Sequence, residues 1–166
     1  MTSVRPTAPL HVDSVEAAEA ALRERGLRVS ATRRLVLESL FMADTPLVAE
    51  EIARGVPDRI PQMDLPSVYR NLELLEEVGL VRHVHLGHGA GRYALARDAG
   101  REYLVCEACG AVTALAPCEL DDVRTLVREQ HGFEAMFHHF PIVGLCAACA
   151  AARPPDAVMT EGRRPT

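Results

Sequence analysis

Two short cysteine pairs, Cys106-x-x-Cys109 and Cys146-x-x-Cys149, constrain this chain more than anything else in it. A C-x-x-C knuckle turns two thiolates to one side. Two knuckles complete a tetrahedron of the kind Zn2+ takes, with Zn–S distances of ~2.3 Å. The chain must therefore bring together two segments separated by 36 residues. That span exceeds a compact zinc ribbon and suits a strand, a helix and a returning strand. Redox disulfides are the competing reading, disfavoured because no thioredoxin-like βαβ pattern surrounds either pair. Four thiolates leave no open coordination position, so the implied zinc holds the fold and catalyses nothing. Cys118 stands alone and reads as an ordinary thiol at a helix N-terminus. A zinc deaminase is set aside: "PCEL" lacks the second cysteine, and no H-x-E occurs anywhere.

This use of cysteine suits a reducing compartment, where clustered thiols point to metal before disulfide. The N-terminus, "MTSVRPTAPLHVDSVEAA", has no apolar h-region. No stretch approaches the ~20 apolar residues of a membrane span. The expectation is a cytoplasmic protein with no membrane association. Its net charge of −5 argues against a strongly basic nucleic-acid binder. A local basic face remains open, because binding depends on where charge lies. Every cation is Arg, so only fork-shaped, permanently charged groups are available for phosphate or guanine.

From Ser14 to about Leu86 the pattern is several short helices, then a strand. Ser14 caps "VEAAEAALRER", which Gly26 closes. Ser30 caps "ATRRLVLESLFMA", where Leu35, Val36, Leu40 and Phe41 recur at helical spacing. "LVAEEIARGV" reads as a third, shorter helix stopped by Gly55 and Pro57. Pro66-Ser67 opens a fourth, "SVYRNLELLEEVG", with Val68, Leu72 and Leu75 on one face. Then the period changes: "LVRHVHL" alternates, "GHGAG" turns, and "RYAL" resumes extended structure, a hairpin signal. Helices followed by a hairpin make a winged helix-turn-helix, whose last helix before the wing enters the major groove. The second half reads as two strands joined by the first knuckle, a helix over "CELDDVRTLVREQHG", and extended chain through "FEAMFHHFPIVGLC". The fold class is α+β. The expected organisation is a flexible N-terminus over 1–13, a winged-helix domain over 14–96, a second domain over 97–150 and a disordered tail over 151–166.

Three of the seven histidines, His83, His85 and His88, fall on or beside the first wing strand. Residues i and i+2 of a strand point the same way, so His83 and His85 can share one ion. Imidazoles suit Zn2+, Ni2+, Fe2+ and Cu2+. Histidines on a wing also serve as plain surface or phosphate-contacting groups, and His88 lies in a Gly-rich turn where it decorates the wing.

Together, "GLRVSATRRLVLESL", "DLPSVYRNLELLEEVGLV", "YLVCEACGAV" and "HHFPIVGLCAAC" resemble the ferric uptake regulator family over about residues 14–150. The resemblance implies a winged-helix domain followed by an α/β dimerisation domain with a four-cysteine zinc site. It also implies a homodimer that binds inverted-repeat operators in double-stranded DNA when a regulatory metal is bound. The function implied is a metal-responsive repressor of metal uptake or homeostasis genes, not an enzyme. The chain departs from the family in two places. "ARDAGREYLVC" lacks the His-rich run usual before the first knuckle, and "DTPLVAEE" lacks the usual loop histidine.

The wing instead resembles the nickel-responsive branch, with His83, His85 and, near the second knuckle, His139 as implied regulatory ligands. His138 is the neighbour of His139. Glu102 and Asp121 lie where some relatives place carboxylate ligands, although exposed carboxylates are usually only solvated charge. The regulatory ion would be Ni2+, Zn2+, Fe2+ or Mn2+. On the fourth helix, Ser67, Tyr69 and Arg70 occupy the turns that reach base edges. Tyr69 suits a thymine methyl, and Arg70 a guanine or phosphate. Arg28 and Arg33 flank the second helix's cap, placed to grip the backbone. Three other readings stay open. They are a peroxide- or redox-responsive regulator of the same family, a zinc metalloenzyme using the histidines, and a zinc-stabilised interaction module without DNA binding.

Overall fold

A computed structural model of the chain describes residues 8–86, 90–98, 100–137 and 141–153. Four helices come first: α1 (Val15–Glu24), α2 (Ala31–Met42), α3 (Ala49–Arg54) and α4 (Leu65–Glu77). The Ser14 side chain accepts from the Ala17 N–H at 3.1 Å, and that of Ser30 from the Arg33 N–H at 3.1 Å. These bonds satisfy amides that the first helical turn leaves without partners. The fourth helix begins earlier than its Pro66-Ser67 signal suggests. Asp64 is the cap, accepting from the Ser67 N–H at 3.0 Å, and Pro66 sits inside the first turn, where its missing N–H costs nothing.

The core between these helices consists of Leu22 from α1, Val36, Leu37 and Leu40 from α2, Ile52 from α3 and Val68, Leu72 and Leu75 from α4. The N-terminus joins it earlier than expected. Leu10 and Val12 pack against this core, and the Leu10 N–H donates to Gly79 O at 2.8 Å. Residues 1–7 lie outside the described residues. The wing is β1 (Val81–Val84) antiparallel to β2 (Arg92–Leu95), with His83 opposite Tyr93. Tyr93 also bridges Leu47 of the α2–α3 loop, tying the wing to the helices. The strand stops at Val84, short of the alternation in the sequence. His88, with Gly87 and Gly89, lies outside the described residues.

A single 3-10 turn, Ala96–Asp98, leads into the second half. There β3 (Tyr103–Cys106) pairs antiparallel with β4 (Val112–Ala114) and parallel with β5 (Ile142–Gly144), giving the order β4-β3-β5. The intervening helix α5 (Asp121–His131) starts three residues after Cys118, which sits in the preceding turn and not on the helix. Gly132, at φ 62, ends it in the left-handed conformation a glycine adopts without strain. "FEAMF" forms no strand; the regular extended part is β5 alone. A short helix α6 (Ala147–Ala151), with no signal of its own in the sequence, follows the second knuckle. The wing packs on this second sheet: Val84, Leu86 and Ala94 share one buried cluster with Tyr103 and Val105. Residues 154–166, most of the expected tail, lie outside the described residues.

Candidate metal centres and DNA-reading surface

The parallel pairing of β3 with β5 places Cys106 opposite Gly144 and so brings the two knuckles together. The sulfurs of Cys106, Cys109, Cys146 and Cys149 lie within 4.8 Å of one another, the one such cluster of metal-binding side chains among the described residues. The Cys109 and Cys146 sulfurs are 3.9 Å apart. A zinc tetrahedron with ~2.3 Å bonds has an edge of about 3.8 Å, so the arrangement fits that ion. The electrostatics agree. Backbone N–H groups of Cys146 and Cys109 pull the Cys106 thiol down to about 6, while the surrounding sulfurs push Cys149 up to about 12. Four sulfurs this close do not all ionise together unless a divalent cation offsets the repulsion between them.

The structure brings His83 and His85 together. Their ring centroids are 4.5 Å apart, edge to face, and both residues are exposed. Tyr93, across the strand pair, lies 5.1 Å from the His83 ring. Gly91 makes room for that ring: a Cβ there would overlap the His83 imidazole at Nε2. The close approach explains one glycine of the "GHGAG" turn. Val84, between the two histidines, turns into the cluster shared with the second sheet. His138 and His139 lie outside the described residues.

Glu102 and Asp121 are also brought together, by an arginine. Arg124 of α5 donates through Nη2 to the Glu102 carboxylate and through Nη1 to Asp121 at 2.8 Å. Glu102 is only 6% exposed, so its charge depends on that partner. The guanidinium thus bridges the two carboxylates. Nothing in the sequence distinguishes Arg124 beyond its place on a helix.

On α4, Tyr69 and Arg70 are exposed. Arg70 Nη2 donates to Ser67 Oγ at 2.6 Å, and the Tyr69 hydroxyl donates to Glu50 of α3 at 3.4 Å. Arg28 is exposed, with no side-chain partner among the described residues. Arg33 is half-buried and turned inward: Nε donates to Asn71 Oδ1 at 3.0 Å, and Nη1 donates to the Arg28 carbonyl. Asn71, buried within α4, donates in turn to Ser67 O at 2.8 Å. Arg33 and Asn71 thus fix the angle between α2 and α4. Only the cap position of Arg33 is visible in the sequence.

The second half leaves apolar surface uncovered. Val123 and Leu126 on α5 are 42% and 50% exposed, and Val143 on β5 is 50% exposed. No residue of α5 is buried. Among the described residues, no helix is long and apolar enough to cross a membrane.

Comparison with known proteins agrees with this layout. A sequence model described as "Ferric uptake regulator family" matches residues 24–143. The ferric uptake regulation protein of Campylobacter jejuni is 27% identical over 130 residues, covering 77% of this chain and 83% of that protein. The peroxide-responsive repressor PerR of Staphylococcus aureus is 24% identical over 135 residues, covering 81% and 90%. The solved structure of the Helicobacter pylori ferric uptake regulator superposes with a TM-score of 0.63 at 22% identity, over 82% of this chain and 94% of that one.

Proposed function

The chain belongs to the ferric uptake regulator family, and on that premise we propose that the ion governing its binding to DNA is held by His83 and His85. It is a metal-responsive DNA-binding repressor that works as a homodimer. The uncovered apolar face of α5 and β5 is the surface a second copy covers. A two-fold dimer presents two α4 helices, which matches an inverted-repeat operator. Cys106, Cys109, Cys146 and Cys149 hold structural zinc. Gene regulation of this kind is work for the cytoplasm, and nothing in the protein's metal chemistry calls for catalysis.

The single observation that carries the sensing proposal is the His83–His85 pair at 4.5 Å on an exposed wing face. A bound ion supplies positive charge and a link between its ligands. The residues do the rest. Val84, which lies between the two imidazoles, anchors the wing on the second sheet, so a change in wing geometry is felt across the domain boundary. His139 supplies the implied third ligand. Ni2+ is the ion favoured by the likeness of this wing to the nickel-responsive branch, with Zn2+, Fe2+ and Mn2+ as alternatives. Glu102 and Asp121, which share Arg124 as a partner, are with His138 the next candidate ligands if the wing histidines do not hold the ion. Ser67, Tyr69, Arg70 and Arg28 read and grip DNA, while Arg33 acts through Asn71 to position α4. The test is a binding titration on the chain's own promoter DNA, with and without each metal, at several salt concentrations. Metal-dependent, salt-sensitive binding is expected. Equal affinity with and without every metal would overturn metal sensing. Loss of binding on peroxide treatment alone would favour the peroxide-responsive reading suggested by the Staphylococcus aureus relative.

A further inference from the structure

The geometry points to Glu76 of the reading helix α4 as a further ligand of the wing ion, tying that ion directly to the helix that enters DNA. The inference rests on the proposed reading of His83 and His85 and deepens it. Glu76 Oε1 accepts the backbone N–H of His83 at 3.2 Å. The carboxylate therefore already stands at the residue whose ring is the first ligand. It is exposed, and among the described residues it has no cationic partner. Two imidazoles and an uncompensated carboxylate form a donor set that suits Zn2+, Ni2+ and Fe2+. Reaching an ion between the rings requires a side-chain rotation of Glu76.

Placement on α4 supports the same conclusion. Tyr69, Glu73 and Glu76 follow one another at i, i+4 and i+7, so they share one helix face. Tyr93, on the opposite wing strand, has its ring 5.1 Å from that of His83. The histidines, Tyr93 and Glu76 thus meet at one place, between the wing and the reading helix. Glu50 adds a third carboxylate next to Tyr69. Carboxylates beside a DNA-reading surface repel phosphates, and a divalent cation held among them offsets two of their charges and weakens that repulsion. Metal then acts within one DNA-binding unit, by neutralising and pinning α4, as well as across the domain boundary.

The test uses the full-length dimer with its cysteine site filled with zinc and Co2+ as the probe, read by its ligand-field absorption. Glu76→Gln is the informative variant, because the amide oxygen still accepts the His83 N–H and preserves any purely structural role. A drop in Co2+ affinity of about tenfold or more, with altered absorption and unchanged melting, is expected. Glu73→Gln is expected to bind Co2+ as the parent does. If Glu76→Gln matches the parent while His83→Ala/His85→Ala abolishes binding, Glu76 is no ligand and the histidine reading stands. If the histidine double variant binds Co2+ like the parent, both fail. A loss with Glu73→Gln alone would overturn the assignment to Glu76.

Discussion

Replacing Cys106 with Ser should detach the second half of the molecule from its fold and leave the first half intact. Cys106 is 4% exposed at the end of β3, and its sulfur accepts the Cys146 N–H at 3.3 Å. Among the described residues of the second half, the large buried apolar side chains are Tyr103, Val105 and Leu120, while α5 buries nothing and the β5 residues are exposed. At about 1.5–3 kcal/mol for each fully buried side chain, these contribute no more than about 9 kcal/mol before chain entropy is subtracted. Binding of structural zinc by a folded site is worth about 10–16 kcal/mol. Zinc thus contributes more than the apolar contacts do, and a whole domain has only about 5–15 kcal/mol of net stability to lose. The helical core of Leu22, Leu37, Ile52, Leu72 and Leu75 does not touch the cysteines. We expect Cys106→Ser to lose zinc and sediment as monomer or aggregate. The far-UV signal of α1 to α4 should persist, with a separate thermal transition. A zinc-free variant that stays dimeric and melts as the parent does would refute the reasoning.

Arg70→Ala should weaken operator binding by about 1–3 kcal/mol if Arg70 contacts a base, and should leave metal affinity unchanged; anisotropy on operator DNA measures the first and metal titration the second. Asn71→Ala should lower stability in urea by about 1–3 kcal/mol, because it leaves the Arg33 Nε and the Ser67 carbonyl without their shared partner. Gly91→Ala should displace the His83 ring and weaken metal binding about tenfold without removing a ligand; an unchanged affinity would mean that the ring is free to move. Hydrogen bonds from the Ser67 side chain and backbone hold the Asp64 carboxyl below the ordinary carboxylate value. Its contribution is therefore full above about pH 4 and is lost as pH falls through the lower folded value. Asp64→Asn should flatten the acid limb of a urea-midpoint profile below about pH 4 while leaving the midpoint near neutrality almost unchanged.

What is legible in the sequence is local. Ser14 and Ser30 can be named as caps because a cap bond spans three residues. The cysteine site is legible because each knuckle is a local turn, and only the return of one knuckle to the other needs the fold. Asp64 escapes notice as a cap because Pro66, a strong mark of a helix start, sits two residues inside the first turn. Long-range pairings leave no local trace. Arg33 and Asn71 are 38 residues apart, and Arg124 lies 22 residues beyond Glu102. Nothing in the periodicity of either segment shows that a guanidinium would bridge two carboxylates. The packing of Val84 and Leu86 on Tyr103 and Val105 is hidden for the same reason: alternation gives a strand its inner face but not what that face meets.

The most direct measurement concerns the wing. The His83→Ala/His85→Ala variant, prepared as a zinc-filled dimer, should be titrated with operator DNA in the presence and absence of Ni2+. Coupling of this kind is about 1–3 kcal/mol, or about 5–150-fold in DNA affinity. The parent should show that difference. The variant should keep its zinc, its dimer and its metal-free affinity, and lose the response to Ni2+. A variant that responds to the metal as fully as the parent would place the sensor elsewhere and contradict the proposed role of the wing histidines.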